Sequence, residues 1–327
     1  MKTAAFLVVL LAAATATPSS GQSRCHSGDR AALLAIKAAL GDPYQLASWT
    51  PKSDYPCCDW YDVHCDPSTG RVVDLSFFQD ANLTGTIPDA VAGLVHLDTL
   101  IWNNLPAISG PIPPAIAKLS NLSMLIISWT GVSGPVPSFL GALTKLTYLD
   151  LSYNSLTGTI PASLAALPKG SGINFIHNQL SGTLPPLLVS DYLWLSHNNL
   201  SGSIPAEFAD VKFLHVDLSR NAFTGDASAL FGRRKELQHL DLSHNAFRFN
   251  LSGVELPKKI YFMDVSHNAI YGGIPAQVAN LSKLQYFNVS YNRLCGQVPT
   301  GGNTAIFDLS CYQHNKCLCG TPLPPCK

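Results

Sequence analysis

The chain has 327 residues, of which 13% are charged, and its 21 basic and 21 acidic residues leave a formal net charge of zero. The charged fraction is about half of the ~25% typical of globular domains, and no basic block or acidic tail interrupts the sequence. This composition argues against a nucleic-acid partner. Glycine and proline number 24 and 23, together about 14% of the chain, whereas disordered segments typically contain roughly 25–30% of these residues. They recur at fixed intervals, as expected of turns.

Residues 1–22 are predicted to be a secretory signal peptide. Lys2 precedes an apolar run from Ala4 to Leu11, and Ala14-Thr15-Ala16 offers a cleavage site. The apolar run is too short to span a bilayer, and no other stretch approaches 20 apolar residues. We therefore expect a secreted, extracellular protein without a membrane anchor.

Residues 23–70 are predicted to form an N-terminal cap. Ser27 or Asp29 is expected to begin its helix, because the apolar residues that follow have helical spacing. Trp49 and Trp60 are interpreted as the core of this cap rather than as ligand-stacking residues.

Residues 71–299 repeat a pattern about every 24 residues, marked by the glycine of G-x-I-P. Ahead of most of these glycines runs L-x-x-L-x-L-x-x-N, as in Leu146, Leu149, Leu151 and Asn154. This pattern is typical of leucine-rich repeats, in which each unit supplies one short strand and buries its apolar side against its neighbours. The predicted fold is an α/β solenoid, a right-handed leucine-rich-repeat superhelix of about ten repeats. A parallel β-sheet lines its concave face, and disulfide-bonded caps close its ends.

Two details of the repeats carry structural predictions. The asparagine that ends the pattern recurs from Asn154 to Asn292 and is expected to satisfy backbone groups of the neighbouring turn. The step from Gly85 to Gly110 is 25 residues, which predicts that residues 101–108 loop out of the repeat. The asparagine column is therefore interpreted as structural.

The concave face is the predicted binding surface. Leucines alternate inward with residues that face solvent, and strands stacked about 4.8 Å apart align equivalent residues in columns. The central column includes Asp150, Asn174, Trp194, Asp217 and Asp241, and the columns beside it include Ser152, Tyr153, His177 and Arg220 on one side and Tyr192 on the other. Tyrosine and tryptophan supply hot-spot area, and charged columns steer a partner, so the face suits protein recognition. The closely spaced aspartates are expected to raise one another's pKa.

Other interpretations of these columns are weaker. Aspartate and serine are ordinary strand residues in this repeat class, which is the favoured interpretation of Asp241. Paired carboxylates can hydrolyse glycosides, but the same side chain recurs here on an open ribbon without a cleft, whereas an active site needs groups with divided roles. The column that holds His177 contains no converging cysteine or carboxylate. We predict no enzyme activity, no cofactor and no metal site.

Five lysines precede the first leucine of a strand and line one rim of the concave face: Lys145, Lys169, Lys212, Lys259 and Lys283. The favoured interpretation is a solvated edge that keeps a neutral protein soluble and blunts strand pairing. The alternative is a ladder that binds a polyanion such as pectin, a uronic-acid polysaccharide.

Six sequons fit the N-x-[ST] rule for N-glycosylation: Asn82, Asn121, Asn199, Asn250, Asn280 and Asn288. Asn288 is predicted to point from the concave face, where a glycan would cover its C-terminal end. The others fall on turns or convex segments.

Nine cysteines lie only toward the two ends, in the N-terminal cap and in or near a C-terminal cap at residues 300–327. Caps cover the apolar ends of a solenoid, and disulfides suit caps too small to hold themselves together. The spacings do not give paired C-x-x-C knuckles, which disfavours zinc. An odd count leaves one thiol over, and the residues alone leave the pairing open.

The chain resembles the plant polygalacturonase-inhibiting proteins, secreted leucine-rich-repeat proteins of the cell wall. The resemblance covers essentially the whole mature chain and is carried by Ser128-Trp129-Thr130, by Phe223-Thr-Gly225-Asp226-Ala227-Ser228, by Phe249-Asn250-Leu251-Ser252-Gly-Val254-Glu255, and by the cysteine-rich tail from Tyr291 to Cys326. It implies a defence protein that binds microbial or insect endo-polygalacturonases through the concave face and blocks pectin cleavage. We expect it to act as a monomer.

The resemblance also assigns residues. By position it implies contacts at Asp150, Ser152, Asn174, Asp217 and Gln238, with Ser171, Tyr192 and Trp194 nearby. It implies the disulfides Cys25–Cys57, Cys58–Cys65, Cys295–Cys317 and Cys319–Cys326, with Cys311 left free.

Two rival functions remain open from the sequence. A secreted regulator or receptor-like module would bind a developmental or cell-wall ligand; a receptor ectodomain would carry a transmembrane segment, and none is seen. A structural wall protein held by pectin depends on the lysine rim alone.

Overall fold

The structure of the chain is a computed structural model that describes residues 25–51, 55–186 and 190–327. The predicted signal peptide, residues 1–22, lies outside these ranges. Within them, no helix is long and apolar enough to cross a membrane. The described residues form successive coils, with a β-strand on one side and, in most coils, a short 3₁₀ helix on the other.

The leucines of the repeat pattern build one core that continues along the solenoid. Leu146, Leu149 and Leu151 are buried, as are most of their equivalents in the following coils, with the exposed Gly170 as an exception. Each coil buries these side chains against the coils before and after it, so the sequence period becomes the structural period. The predicted solenoid is confirmed.

The first sheet forms the concave face. Its strands are Val63–Cys65, Val72–Phe78, Thr99–Gly110, Met124–Pro135, Tyr148–Asp150, Gly172–Asn174, Tyr192–Trp194, His215–Asp217, His239–Asp241, Phe262–Asp264 and Tyr286–Asn288. Val63–Cys65 pairs antiparallel with the next strand, and the remaining pairs are parallel. The pairing puts Asp150 opposite Asn174, and Asp217 opposite Asp241, which confirms the predicted central column.

Shorter strands form a second face, here called the side sheet, beside the first. They are Gly85–Thr86, Ser155–Gly158, Gln179–Gly182, Asn199–Gly202, Ala222–Gly225, Ala246–Phe247, Tyr271–Gly272, Arg293–Gln297 and Cys317–Cys319, joined by the ends of the two 12-residue strands of the first sheet. The 3₁₀ helices are Tyr44–Leu46, Cys57–Asp59, Asp89–Gly93, Pro114–Lys118, Ser138–Ala142, Ala162–Ala166, Ala206–Asp210, Ser228–Leu230, Leu251–Gly253, Ala276–Asn280, Gly302–Ile306 and Leu309–Cys311.

Residues 101–108 do not loop out, so that prediction was wrong. Thr99–Gly110 is a single strand that serves both sheets, and its register with the next strand shifts between Leu105 and Ser109, where residues 106–108 have no counterpart. The irregularity disrupts the pairing locally, and the ladder continues on either side of it.

The N-terminal cap covers the first coil with helix Ser27–Ala39. The helix begins at Ser27, one of the two predicted starts, and its N-cap is His26, whose Nδ1 accepts a hydrogen bond from the Gly28 N–H at 3.2 Å. Asp29 is buried and instead accepts hydrogen bonds from Arg71, with its Oδ1 lying 2.7 Å from the Arg71 Nη2. This ion pair ties the helix to the first strand of the solenoid.

Two of the cap predictions hold in the structure. Trp49 and Trp60 are buried and stacked, with ring centroids 6.0 Å apart. The disulfides are Cys25–Cys57, Cys58–Cys65, Cys295–Cys317 and Cys319–Cys326, the pairs that the resemblance implies, and Cys311 is free.

The asparagine column is structural, as predicted. In one repeat, Asn221 donates from Nδ2 to the carbonyls of Leu195, Leu218 and Ser219 at 2.9, 3.1 and 3.1 Å, and its Oδ1 accepts the Leu200 N–H at 3.0 Å. Asn315 makes the equivalent bonds beyond residue 299. The ladder therefore continues into the segment predicted as the C-terminal cap, whose boundary stays a prediction.

Candidate functional site

A local turn fixes the side chains of the central column. Asp217 Oδ1 accepts hydrogen bonds from the backbone N–H of Ser219 at 3.0 Å and from its hydroxyl at 2.7 Å. Asn174 and Asn288 use the same oxygen for the equivalent turn. Oδ1 of each such side chain is thus held by its own strand, and the second carboxylate oxygen of an aspartate, or the amide nitrogen of an asparagine, is left to interact across the face.

The same turn hides the serines that alternation placed in solvent. Ser152 is only 3% exposed, and its hydroxyl donates to Asp150 Oδ1 at 2.6 Å. Its equivalents Ser196, Ser219, Ser243, Ser266 and Ser290 are also buried. The expectation that Ser152 faces solvent was wrong, because a side-chain hydrogen bond turns it against the strand.

The residue after the strand's serine, or after Ile176 or Gln313 at the equivalent position, has a left-handed backbone, and all of these residues except Arg220 carry a ring along one edge of the concave face. We call this column the edge ladder: Trp129, Tyr153, His177, His197, Arg220, His244, His267, Tyr291 and His314, all with φ between 52° and 60°. Ring centroids are 3.6 Å apart for Trp129–Tyr153, 4.5 Å for Tyr153–His177 and 3.9 Å for His177–His197. Stacking therefore covers most ring faces and leaves the ring edges toward solvent.

A second set of rings, here called the strand-start ladder, lies on the other side of the central column. It consists of Tyr192, His215, His239, Phe262 and Tyr286, and Trp194 of the central column packs between Tyr192 and His215. His215 and His239 lie 3.8 Å apart, and His239 and Phe262 lie 4.1 Å apart. Burial, and secondarily the neighbouring His239, lowers the pKa of His215 to about 3, so this imidazole is neutral at ordinary pH.

Carboxylates form the floor of a shallow trough between the two ladders. Burial, more than the neighbouring Asp217 and Asp264, raises the pKa of Asp241 to about 7, against the effect of its hydrogen bonds from Ser243. Repulsion between neighbouring aspartates, the predicted cause, therefore raises the pKa of Asp241 less than burial does. Asp264 is buried and accepts a hydrogen bond from the Tyr286 hydroxyl at 3.2 Å.

Asp150 and Asp217 differ in what their second oxygen does. Asp150 Oδ2 accepts a hydrogen bond from Asn174 Nδ2 at 3.0 Å. No described residue donates a hydrogen bond to Asp217 Oδ2, although Asp217 lines the trough. Asp217 is therefore the carboxylate best placed to meet a basic group from outside.

The structure separates the remaining predicted contact residues. Tyr153, His177, Arg220 and Asp241 line the trough with Asp217. Tyr192 stacks on Trp194 at 5.4 Å and is 39% exposed. Gln238 lies instead in a hollow that it shares with Lys259 and Lys283 at the lysine rim, so it does not belong to the trough.

The five lysines of the rim are all exposed, but their line is interrupted. Glu236 occupies the equivalent position in its repeat and forms an ion pair with Lys259. Lys145 donates a hydrogen bond to Asn121 Oδ1 at 2.7 Å. The acidic residue and the ion pair reduce the positive charge that the rim offers to a polyanion.

The sequons differ in what surrounds the amide. Asn82, Asn199, Asn250 and Asn280 are exposed. Asn288 lies within a concave strand, where its Oδ1 accepts hydrogen bonds from Ser290 and its Nδ2 donates to Asp264 at 3.3 Å. Its place on the concave face agrees with the prediction, and its amide is already engaged.

Comparisons with known proteins extend these observations. The Leucine rich repeat N-terminal domain family matches residues 26–66, and the Leucine Rich Repeat family matches residues 145–167 and 191–211. Polygalacturonase inhibitor 1 of Arabidopsis thaliana is 56% identical over 93% of this chain and 93% of its own length. The polygalacturonase inhibitor of Pyrus communis is 52% identical over 100% and 99%. The chain belongs to the polygalacturonase-inhibitor family. Among solved structures, a plant ice-binding protein is similar to this family member, with a TM-score of 0.89, 44% identity, and coverage of 93% of this chain and 99% of that one.

The family's relatives are inhibitors, which supports a binding protein rather than an enzyme. The cysteines Cys25, Cys57 and Cys58 lie close enough together to suggest a metal site, but each is held in a disulfide. A receptor-like or developmental role is not favoured by these relatives.

Sequence reasoning missed two features of this family member. The stacking in the edge ladder, interrupted at Arg220, follows from the left-handed residue at one recurring position, a signal readable in most coils as L-D-L-S-x-N. Lys235 is also structural, because its Nζ donates to the carbonyls of Phe208 and Val211 at 2.7 and 2.9 Å, where a 3₁₀ helix ends. From sequence alone, Lys235 cannot be distinguished from the exposed lysines of the rim, because its carbonyl partners come from the preceding coil.

Proposed function

We propose that this chain is an extracellular inhibitor that binds microbial or insect endo-polygalacturonases through its concave face and blocks pectin degradation in the plant cell wall. The observation that carries the proposal is the identity of more than 50% to polygalacturonase inhibitors over nearly the whole chain. The expected partner is one polygalacturonase bound by one copy of this chain.

The trough supports the concave face as the contact surface. A polygalacturonase cleft accepts an acidic polymer, so the carboxylates of Asp150 and Asp217 would meet the basic groups that recognise that polymer. The stacked rings on either side hold their neighbours in one orientation, which lowers the entropy lost on binding. Tyr192, Trp194 and Arg220 belong to the residue types that most often dominate binding energy.

The direct test is an inhibition assay against purified fungal and insect endo-polygalacturonases. We expect this chain to inhibit at least one of them, and the variant with both Asp150→Asn and Asp217→Asn to inhibit it less while remaining folded. Unchanged inhibition by the double variant would remove the trough from the proposal.

Pectin binding at the lysine rim is a finer proposal. Exposed ion pairs contribute about 0–1 kcal/mol each, so retention on a polygalacturonate column would need several lysines and would fall as salt rises. The test compares the chain with a variant in which Lys145, Lys169 and Lys212 are changed together to Gln. Equal elution in salt for the two proteins would leave the rim as a solvated edge.

Ice binding is a second candidate function, favoured by the side sheet. Thr157, Thr159, Ser181, Thr183, Ser201 and Ser203 form two rows of hydroxyl groups there, at least partly exposed, on strands about 4.8 Å apart. The Thr159 and Thr183 methyls lie over the glycines of the next coil, so close that a Cβ at Gly182 or Gly202 would come within 2.8 and 2.7 Å of them. The hydroxyl rows therefore have a fixed, regular and uncharged arrangement, which suits an ordered layer of water.

The test measures inhibition of ice recrystallisation. Thr159→Lys together with Thr183→Lys should abolish it, whereas the trough variant Asp217→Asn should leave it unchanged. The exposed sequon Asn199 lies on the same sheet, so protein without glycans is compared with glycosylated protein. Equal activity of the threonine variant and the unmodified chain, or no activity in either glycoform, would eliminate this candidate.

A further inference from the structure

The floor of the concave face changes character along the solenoid. From Asp150 onward the central column is largely acidic, but the two coils before it place Ile101 and Ile126 there. In the adjacent column Asn103 donates a hydrogen bond to the Ser128 hydroxyl at 2.8 Å. At Ile101 and Ile126 the centre of the face therefore carries neither a charge nor a hydrogen-bonding side chain.

Two large apolar side chains are exposed beside this floor. Phe78 is 50% exposed and Trp129 is 51% exposed, although comparable side chains nearby, such as Phe77 and Trp102, are buried. Phe78 lies two strands from Trp129 and Ile126, with Asn103 and Asn104 on the strand between them, and we call Phe78, Ile126 and Trp129 the N-terminal apolar patch. Large exposed apolar side chains in one region of a surface mark a candidate interaction site.

Trp129 is held rigidly in this patch. Its ring stacks on Tyr153 at 3.6 Å with an interplanar angle of 11°, and Tyr153 in turn stacks on His177. Its backbone N–H donates to the Ser152 carbonyl at 3.1 Å in the left-handed conformation with φ of 55°. Trp129 begins the stacked series, so only one ring face is covered by an aromatic neighbour among the described residues, whereas Tyr291 has a ring on each side.

We propose that the N-terminal apolar patch is a second anchor for the bound polygalacturonase, in which the free face of Trp129 takes an apolar, planar side chain of the enzyme. The inference rests on the proposed function and adds a contact outside the acidic trough. The patch is continuous with the trough through the stack of Trp129, Tyr153 and His177, so one partner surface spans both. A fixed tryptophan loses little conformational freedom on binding and is the residue type most enriched among hot spots.

The experiment measures the dissociation constant and dissociation rate for an endo-polygalacturonase that the unmodified chain inhibits. Trp129→Ala should weaken binding at least tenfold, mainly by faster dissociation, and Trp129→Phe should recover most of the loss because it keeps a stacked ring. The matched control is Tyr291→Ala, which removes a 44% exposed ring of the same ladder whose faces are both covered. It should change binding less than threefold.

Thermal unfolding of each variant separates binding from folding, and Trp129→Phe provides the measurement if Trp129→Ala is unstable. A change below threefold for folded Trp129→Ala, or equal losses for Trp129→Ala and Tyr291→Ala, would overturn the second anchor. If the second anchor were overturned but Asp217→Asn still weakened binding, the proposed function would stand without the second anchor. If the unmodified chain bound no polygalacturonase, both would fail.

Discussion

Replacing Asp217 with Asn isolates the charge of the trough from its architecture. The turn at this position uses only Oδ1, and Asn174 and Asn288 already make the same turn in other coils. No described residue donates to Asp217 Oδ2, so the variant loses no hydrogen bond inside the chain. We expect its free energy of unfolding to stay within about 0.5 kcal/mol of the unmodified chain.

The effect on binding follows from the partly buried position of Asp217. Exposed ion pairs contribute about 0.2–1 kcal/mol, and truncating one partner of a buried pair costs about 2–5 kcal/mol. A half-buried carboxylate lies between these limits, so we expect a loss of about 1–2 kcal/mol, or roughly 5–30-fold in dissociation constant. Asp150→Asn is a less clean test, because the new amide would face the Asn174 amide that now donates to Asp150 Oδ2 at 3.0 Å.

The assay is surface-based binding of an inhibited polygalacturonase at low and physiological salt. Asp226→Asn is the matched control, because Asp226 is exposed, follows a side-sheet strand, and makes a similar turn by accepting the Ser228 N–H at 2.7 Å. Added salt should weaken polygalacturonase binding by the unmodified chain more than binding by Asp217→Asn. Equal dissociation constants for the Asp217 variant, the Asp226 control and the unmodified chain would refute the role of the trough charge.

Three further predictions concern the fold. Burial raises the pKa of Asp241 from 3.8 to about 7, so the folded chain holds this proton more tightly than the unfolded chain, and its stability falls as pH rises through that window. The free energy of unfolding of Asp241→Asn should therefore increase from pH 4 to 7 relative to that of the unmodified chain. Parallel pH profiles for the two proteins would contradict this. Asn221→Ala leaves the Leu200 N–H and the Leu195 carbonyl without their partner, so urea unfolding should show a loss of about 2–4 kcal/mol, and a loss below 1 kcal/mol would refute the ladder's role. Cys311 is the free cysteine, so iodoacetamide should label the native chain once. Burial, and then the neighbouring Asp308, raises the pKa of the Cys311 thiol, so this labelling should be slower at pH 8 than that of free cysteine. Labelling at any other cysteine would overturn the disulfide assignment.

The coil architecture could be predicted because one physical constraint repeats along the chain. Each leucine triplet, such as Leu146, Leu149 and Leu151, must be buried against its neighbours, so the period fixes strand register and the alignment of Asp217 with Asp241. The disulfide pairs came from the family resemblance, since spacing alone left them open.

What alternation could not predict were side chains whose direction is set by local hydrogen bonds. Ser152 was expected in solvent, yet its hydroxyl is drawn to Asp150. Asp29, offered by the sequence as a possible helix start, is buried and pairs with Arg71, while the helix begins at Ser27. In both cases a partner distant from, or adjacent to, the side chain sets its direction, and the leucine pattern carries no information about that partner.

The central claim is that this chain inhibits a polygalacturonase, and the most direct measurement is the release of reducing ends from polygalacturonate by a panel of purified fungal and insect endo-polygalacturonases. The account predicts that near-equimolar unmodified chain suppresses at least one enzyme of the panel, and that Asp217→Asn and Trp129→Ala each weaken this suppression while Asp226→Asn does not. Full activity of every enzyme in the presence of excess folded chain would contradict it.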